Sequence, residues 1–321
     1  MPMRIIFISA AAALLFGIAA CGSDEGTAAD GPRIVATTGV VADIAAKVAG
    51  PDVQVEQVIP DGASPHDFEL SAGDRHTLEE ADLVVVSGAG LEVGVPLDRI
   101  DSPQWTLTEH AGRLRPFEEA GIHGDDDYAE DEGEDGEDHA EDEDAHGDSD
   151  PHVWMDPTRV AEALPALADA LAEADPGDAA GYRKRADRYA KGLRDLDAEL
   201  AATLDAIPEA NRELVTSHDA FGYFADRYGL EVIATAFPAS GPEAEASAAL
   251  IADVQDAVRS SGVPAVFAQQ EDNPATLALI ARETGVAIED GLIVESPASA
   301  GSYEAMLRRD AELIAKALGT R

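Results

Sequence analysis

The sequence predicts an α/β protein with two β/α lobes, each built on a mainly parallel sheet. Short apolar strands alternate with helical segments in the first half of the chain, and the same alternation returns in the second half. A long helical segment separates the two halves. The 321 residues are 45% hydrophobic, which is enough to fill a sizeable core, so one or two folded domains are expected.

The first half opens with a strand followed by a helix. Residues 33–38 predict a short strand, and residues 39–49 carry apolar side chains at the i, i+3, i+4 spacing of a helix. A second strand is predicted over residues 53–59, closed by the turn Pro60-Asp61-Gly62. Residues 83–87 begin as an uninterrupted apolar run, which is typical of a strand buried on both faces of a parallel sheet.

The pattern continues beyond the first lobe with two helices. Residues 158–174 predict one helix, and residues 178 to about 206 predict a second with its apolar residues on one face. At 1.5 Å per residue the second helix is about 40 Å long, which is enough to cross both lobes. Four strands follow, predicted at residues 214–216, 231–234, 265–268 and 286–289. The helices between them are predicted near residues 220–228, 243–260 and 274–284.

The first residues predict export and a lipid anchor. Arg4 precedes an apolar run, residues 5–20, that is shorter than the roughly 20 residues a spanning helix needs, so residues 1–20 are a predicted signal peptide. The run ends in Ile18-Ala19-Ala20-Cys21, which resembles a bacterial lipobox and holds the only cysteine. We expect acylated Cys21 to begin a tether, residues 21–30, on the extracytoplasmic face of the cell membrane. An ordinary signal peptide with a chance cysteine is the alternative.

These segments give the predicted domain boundaries. The N-terminal lobe covers residues 31–177, the linking helix residues 178–207 and the C-terminal lobe residues 208–321. One insert interrupts the first lobe, because residues 118–150 hold 18 acidic residues and no Lys or Arg. Since residues 121–150 have almost no apolar side chains to bury, we predict that this acidic loop is disordered.

Charge and cysteine content restrict the classes of function. The chain has 64 acidic and 22 basic residues, and its formal net charge of −42 repels phosphate backbones. Nucleic-acid binding is therefore excluded. A single cysteine cannot supply the several thiolates of a structural zinc site, so any bound metal must be held by imidazole and carboxylate groups.

Three of the eight histidines stand in turn-like settings where a pocket is expected. His66 and His218 follow predicted strands, and His152 lies where the acidic loop rejoins folded structure. Asp290 follows the last predicted strand in the same way. Ligands of open parallel sheets bind outside the carboxyl ends of the strands, so these four residues are candidates for a shared metal site. The intervals between them are too long for any local spacing rule, and isolated surface histidines are the alternative.

Three histidine-bearing segments resemble the signatures of the zinc and manganese solute-binding proteins of bacterial ABC importers. They are Ser64-Pro-His-Asp-Phe-Glu69, Asp150-Pro-His-Val-Trp-Met-Asp-Pro157 and Thr216-Ser-His-Asp-Ala-Phe-Gly-Tyr-Phe-Ala225, in the order of that family. Gly301-Ser-Tyr-Glu-Ala-Met-Leu-Arg308 is similar to the last helix of the family. The resemblance extends over most of the chain between Arg33 and Leu318.

The resemblance implies two β/α lobes joined by one long rigid helix, with one tight metal site in the cleft between them. It places the ligands of the first lobe at His66 and His152 and those of the second lobe at His218 and Asp290.

The sequence departs from the family pattern near the fourth ligand. Gln269-Gln270 replaces the usual Glu-Pro, and Gly291 follows Asp290 where Ser or Pro is commoner. Glu271 or Asp272 is therefore an alternative fourth ligand.

The ligand set implied by the resemblance suits zinc. Manganese binders of the family have a carboxylate at the third ligand position, whereas this chain has His218 there, and three imidazoles with one carboxylate suit Zn(II) better than manganese. The acidic loop resembles the charged, often His-rich loop of zinc-type members. With only three histidines, it is either a weak, multi-site metal attractor or a solvated insert without a metal role.

The expected function is that of a non-enzymatic, lipid-anchored, monomeric protein that captures Zn(II) and delivers it to an ABC importer permease. A secreted zinc-dependent hydrolase is an alternative, because catalytic zinc is also held by three histidines with an open fourth position. A fourth ligand such as Asp290 would close the site and exclude that alternative. A manganese or iron carrier of the same fold and a surface adhesin are further alternatives.

Overall fold

The computed structural model describes residues 31–116, 149–237, 247–270 and 275–319. The predicted signal peptide, the tether with Cys21, nearly all of the acidic loop, and the alternative ligands Glu271 and Asp272 lie outside the described residues. The predictions for those segments therefore stay predictions.

A four-stranded parallel sheet forms the centre of the first lobe. Its strands lie in the order β2-β1-β3-β4. They are β1 (Ile34–Ala36), β2 (Val55–Gln57), β3 (Leu83–Val86) and β4 (Gln104–Thr106). The two central strands are completely buried, as the apolar pattern predicts, because helices cover both faces of the sheet. The edge strand β4 was not predicted, since it is short and buries only Trp105.

The second lobe repeats this arrangement with a second parallel sheet. Its strands lie in the order β6-β5-β7-β8, so in both sheets the first strand of the lobe is an inner strand. They are β5 (Glu213–Thr216), β6 (Glu231–Thr235), β7 (Ala265–Gln269) and β8 (Ala287–Leu292). The predicted strands all form, and β8 runs three residues beyond its predicted end.

Two helices of the first lobe begin at side-chain caps. The helix α1 (Gly39–Ala49) has the predicted bounds, and the Thr38 side chain accepts a hydrogen bond from its first turn. The helix α2 (Ala72–Glu79) begins with a capping box formed by Ser71 and Asp74. One short helix, α3 (Leu107–His110), follows β4.

Along the chain, two long helices follow the strands of the first sheet and precede those of the second. The helix α4 (Pro157–Ala174) begins with proline in its first turn and is capped by Asp156. The helix α5 (Ala179–Leu204) has 26 residues, in agreement with the predicted linking helix, and is about 39 Å long. One face of α5 is buried along its whole length, through Tyr182, Ala186, Ala190, Leu193, Leu196, Leu200 and Leu204.

The helices of the second lobe complete the fold. They are α6 (Gly222–Tyr228), α7 (Ala248–Ser261), α8 (Ala275–Thr284) and α9 (Tyr303–Gly319). The C-terminal helix α9 packs on α5, and α5 also packs on α1 and α4. The helix α5 therefore contacts helices of both lobes, and one apolar cluster extends from β1 to α9. None of the helices within the described ranges has both the length and the apolar character that a membrane span requires.

Buried hydrogen bonds also tie the two lobes together. The Trp154 indole Nε1 donates to the Val294 carbonyl at 3.0 Å, and the Tyr303 hydroxyl donates to the Trp154 carbonyl. The Tyr303 backbone N–H donates to Asp43 Oδ2 at 3.0 Å. Because Trp154 and Tyr303 are almost completely buried, the two bonds that Trp154 makes belong to the core of the molecule.

The folded structure resumes slightly earlier than predicted after the acidic insert. Pro116 and Ser149 form an isolated antiparallel bridge, and the Asp150 backbone N–H donates to the Arg115 carbonyl at 3.0 Å. Asp150 is buried. Ser149 and Asp150, which the sequence analysis assigned to the end of the acidic loop, therefore pair with the chain on the other side of the insert.

Candidate metal centre

Four side chains from distant parts of the sequence converge between the two lobes. His66, His152, His218 and Glu295 each offer one ligand atom, and these four atoms lie within 4.8 Å of one another. The ring centroids of the three histidines are separated by 5.1 to 5.6 Å. Glu295 Oε1 lies 3.9 Å from both His66 Nε2 and His152 Nε2. Such a set of three nitrogens and one carboxylate oxygen can hold a divalent metal ion.

Strand ends explain why these residues meet. His66 lies in the loop that follows β2, His218 lies two residues after β5, and Glu295 lies three residues after β8. In parallel sheets the carboxyl ends of the strands share one edge, so loops from that edge converge. His152 comes from the segment that leads into α4, between the bridge at Ser149 and a short 3₁₀ turn.

The ring of His152 is fixed by a neighbouring carboxylate. His152 Nδ1 donates to Asp150 Oδ1 at 2.9 Å, and the His152 backbone N–H donates to the same oxygen at 2.9 Å. The Tyr223 hydroxyl donates to the Asp150 carbonyl at 3.0 Å, and Arg115 Nη1 lies 3.5 Å from Asp150 Oδ2. With its Nδ1 proton committed to Asp150, His152 presents the lone pair of Nε2 to the centre.

The three Nε2 atoms that face the centre are buried and lack hydrogen-bond partners within the described part of the chain. An unsatisfied buried polar atom costs about 1–3 kcal/mol, so three in one place indicate a ligand that satisfies them together. The donor set therefore fits a metal ion.

Burial keeps two of the histidines neutral. Burial lowers the pKa of His66 to about 3, with a further lowering by the charge of His152 and a partial reversal by Asp150. Burial also lowers the pKa of His218 well below its usual value, and the other two histidines add to the effect. At neutral pH both rings therefore have a lone pair available for a metal.

The pKa of His152 shifts in the opposite direction. Burial alone would lower its pKa, but the hydrogen bond and charge of Asp150, together with the charges of Glu295 and Asp219, raise the pKa above its usual value. The carboxylates around His152 therefore favour a positive charge on this side of the centre. A bound metal ion would supply that charge.

The structure brings together three of the four predicted ligands. Asp290, the predicted fourth ligand, is not part of the group, because it lies within β8 opposite Ala268 and its side chain is exposed. Glu295, which the sequence analysis missed, takes the fourth position and is buried.

A register shift explains why Asp290 lies within β8. Gly291 has a φ of +112°, and the pairing of β7 with β8 shifts between Ala268 and Gln269, so β8 continues through Gly291 to Leu292. The strand was predicted to end at residue 289, directly before Asp290. One signal did point to Glu295, since it is followed by Ser296 and Pro297, the residue types that commonly follow the ligand in the resembled family.

Two parallel-sheet lobes with a His/Glu cluster in the cleft between them define a metal-binding solute-binding protein. Residues 34–317 match the family model described as ZnuA, zinc-uptake complex component A periplasmic. Because the match covers most of the chain, the protein belongs to the ZnuA family of solute-binding proteins of metal ABC importers. These are transport proteins rather than enzymes, so the hydrolase alternative is wrong.

Relatives named for two different metals resemble this chain. The manganese-binding lipoprotein MntA of Halalkalibacterium halodurans is 27% identical over 289 residues, covering 88% of this chain and 87% of the relative. The zinc-binding lipoprotein AdcA of Streptococcus pneumoniae is 29% identical over 290 residues, covering 88% of this chain and 54% of the relative.

A solved structure supports the fold. The periplasmic zinc-binding protein TroA from Treponema pallidum superposes with a TM-score of 0.75 at 24% identity, covering 90% of this chain and 99% of that chain. This similarity confirms the prediction of two lobes joined by a long helix.

The low pKa of His66 predicts a specific loss of stability in acid for the metal-free protein. The folded pKa of about 3 lies below the unfolded value of about 6.5, so the unfolded chain binds the proton first. The contribution of neutral His66 to the free energy of unfolding is complete above about pH 6.5. It declines as the pH falls towards 3, and about 2 kcal/mol is lost by pH 5.

Urea unfolding of the metal-free parent and of His66→Gln, at pH 7.5 and pH 5, measures this contribution. Between pH 7.5 and pH 5 the free energy of unfolding should fall by about 2 kcal/mol more in the parent than in the variant. The exposed His76→Gln variant is the control and should follow the parent. An identical loss in the parent and His66→Gln would contradict the prediction.

Proposed function

We propose that this protein captures Zn(II) outside the cytoplasm and delivers it to the permease of an ABC importer. The observation that carries the proposal is the group of three buried imidazole Nε2 atoms that lie beside the Glu295 carboxylate and have no hydrogen-bond partner among the described residues. Four protein ligands complete the tetrahedral shell that zinc prefers in closed sites. A closed shell leaves no position for an activated water, which is consistent with carriage rather than catalysis.

The donor set favours zinc over manganese. Imidazole nitrogen suits zinc, whereas manganese is typically held by carboxylate, carbonyl and water oxygens in octahedral geometry. Here only one of the four donors is an oxygen. Because relatives of this chain are named for zinc and for manganese, the donor chemistry is the argument for zinc, and a manganese carrier of the same fold is the second candidate.

The lipid anchor belongs to this proposal. Several relatives are named lipoproteins, and the lipobox-like sequence before Cys21 supports an acylated N-terminus in this chain. All four donors come from one chain, so a monomer is sufficient to bind the metal. The protein then acts at the outer face of the cell membrane, where the permease of the importer is accessible.

Substitution of the four ligands tests the proposed site. Alanine at His66, His152 or His218 should weaken Zn(II) binding by more than about 100-fold, because even the outer-shell partners of a metal site are worth 10- to 100-fold. Glu295→Gln, which keeps the size of the side chain, should also weaken binding strongly. Competition against a chromophoric chelator, with Zn(II) and Mn(II) in turn, measures both affinity and preference.

The fourth position has a matched control within the chain. Asp290→Asn alters an exposed carboxylate of β8 and should leave Zn(II) affinity unchanged, in contrast to Glu295→Gln. A large effect of Asp290→Asn with none from Glu295→Gln would assign the fourth ligand to Asp290. Equal affinity of the parent for Zn(II) and Mn(II) would contradict the zinc proposal.

Deletion of the acidic insert separates tight from weak metal binding. Removing residues 125–148 takes away acidic groups and histidines but none of the four converging side chains. We expect one tight Zn(II) site per chain to persist and only weak additional binding to be lost, as measured by isothermal titration calorimetry. If the tight site disappeared, the insert would have to supply a primary ligand.

A further inference from the structure

One hydrogen bond joins the two loops that carry His66 and Glu295. The Ser296 hydroxyl donates to Asp61 Oδ1 at 2.6 Å, although the two residues are 235 positions apart. Ser296 directly follows Glu295, and Asp61 lies in the same loop as His66, five residues earlier. The bond therefore connects a ligand loop of the first lobe with a ligand loop of the second.

Each partner in this bond is also anchored in its own lobe. Asp61 Oδ1 accepts a second hydrogen bond from Gln57 Nε2 of β2 at 3.2 Å. Ser296 Oγ accepts from the Ala298 backbone N–H at 3.3 Å and so caps the 3₁₀ turn that begins at Pro297. Separation of Asp61 from Ser296 would thus move one loop relative to the other, rather than rotate two loose side chains.

The first residue of α1 leaves room for this contact. A Cβ atom at Gly39 would lie 2.9 Å from Ser296 Oγ and 3.3 Å from Asp61 Oδ1, which is closer than side-chain carbons normally approach. Gly39 has a helical position without a positive φ, so its backbone does not require glycine. The close approach of Asp61 and Ser296 to this position explains why residue 39 has no side chain.

The position of this bond distinguishes it from the two bonds of Trp154 between the lobes. The bonds of Trp154 with Val294 and Tyr303 lie in the core, whereas Asp61 is exposed to solvent. The Asp61–Ser296 bond can therefore break while the apolar core stays packed. Breaking it would release the constraint between the loops that carry His66 and Glu295.

We propose that Asp61 and Ser296 are positioning residues that form a latch across the metal centre and slow the release of the bound ion. The latch touches no metal and acts by holding the His66 and Glu295 loops together. This inference rests on the proposed metal-binding function, but not on which metal is carried.

The rate of metal release tests the latch. The full chain, purified in detergent and loaded with Zn(II), is mixed with excess chelator in a stopped-flow instrument. Asp61→Ala and Ser296→Ala should each release Zn(II) about tenfold faster than the parent, because each removes the same charge-assisted hydrogen bond. The double variant should be no faster than either single variant, since the two changes remove one interaction.

Three further variants separate the latch from simpler explanations. Asp61→Asn keeps an oxygen acceptor for Ser296 but loses the charge that strengthens the bond, so it should release the metal faster than the parent and more slowly than Asp61→Ala. Gly39→Ala should release it faster, because the new methyl group intrudes on the contact. Ser299→Ala is the matched control, because Ser299 bonds to Gln270 within the second lobe and should leave the rate unchanged.

Several outcomes would overturn the latch. Release from Asp61→Ala and Ser296→Ala at the parent rate would exclude any role for the bond. Equally fast release from Asp61→Asn and Asp61→Ala would show that Asp61 acts by its charge, and additive effects in the double variant would show that the two residues act separately. A parent protein that bound no metal would contradict the proposed function itself, and the latch with it.

Discussion

Three buried imidazole nitrogens that have no hydrogen-bond partner among the described residues impose the central constraint on this structure. Each would find water in the unfolded chain, and each costs about 1–3 kcal/mol when it is buried unsatisfied. A single metal ion satisfies all three at once, together with the Glu295 carboxylate. Binding of the ion therefore removes a strain that the fold otherwise carries, and metal affinity is coupled directly to the stability of the folded state.

Such a centre requires a frame that keeps the rings in place when no ion holds them. The helix α5 supplies much of that frame, since its buried face packs against helices of both lobes. Asp150 adds local support by accepting one hydrogen bond from the His152 ring and one from the His152 backbone N–H. The core bonds of Trp154 and Tyr303 hold the lobes together, while the bond between Asp61 and Ser296 lies nearer the solvent. Because the core bonds are separate from the Asp61–Ser296 bond, the metal ion can be released by local loop movement without unfolding.

Patterns that are local in sequence predicted most of the fold. The bounds of α1 follow from apolar spacing and the Thr38 cap, and the burial of β3 follows from its apolar run. The three histidines were found because each stands in a recognisable motif. Asp290 was expected to follow the last strand but lies within β8, because β8 continues through Gly291, where its register with β7 shifts. The Asp61–Ser296 contact joins residues too far apart for any pattern to reveal, and the edge strand β4 is too short and polar to stand out.

The coordination shell of the bound ion is the most direct test of this account. Zinc K-edge X-ray absorption of the protein loaded with one equivalent of Zn(II) reports the number, type and distance of the ligands. We predict three imidazole nitrogens and one carboxylate oxygen at about 2.0–2.2 Å, with no sulfur. A shell with fewer than three imidazoles, or a six-coordinate shell dominated by oxygen, would contradict the closed centre formed by His66, His152, His218 and Glu295.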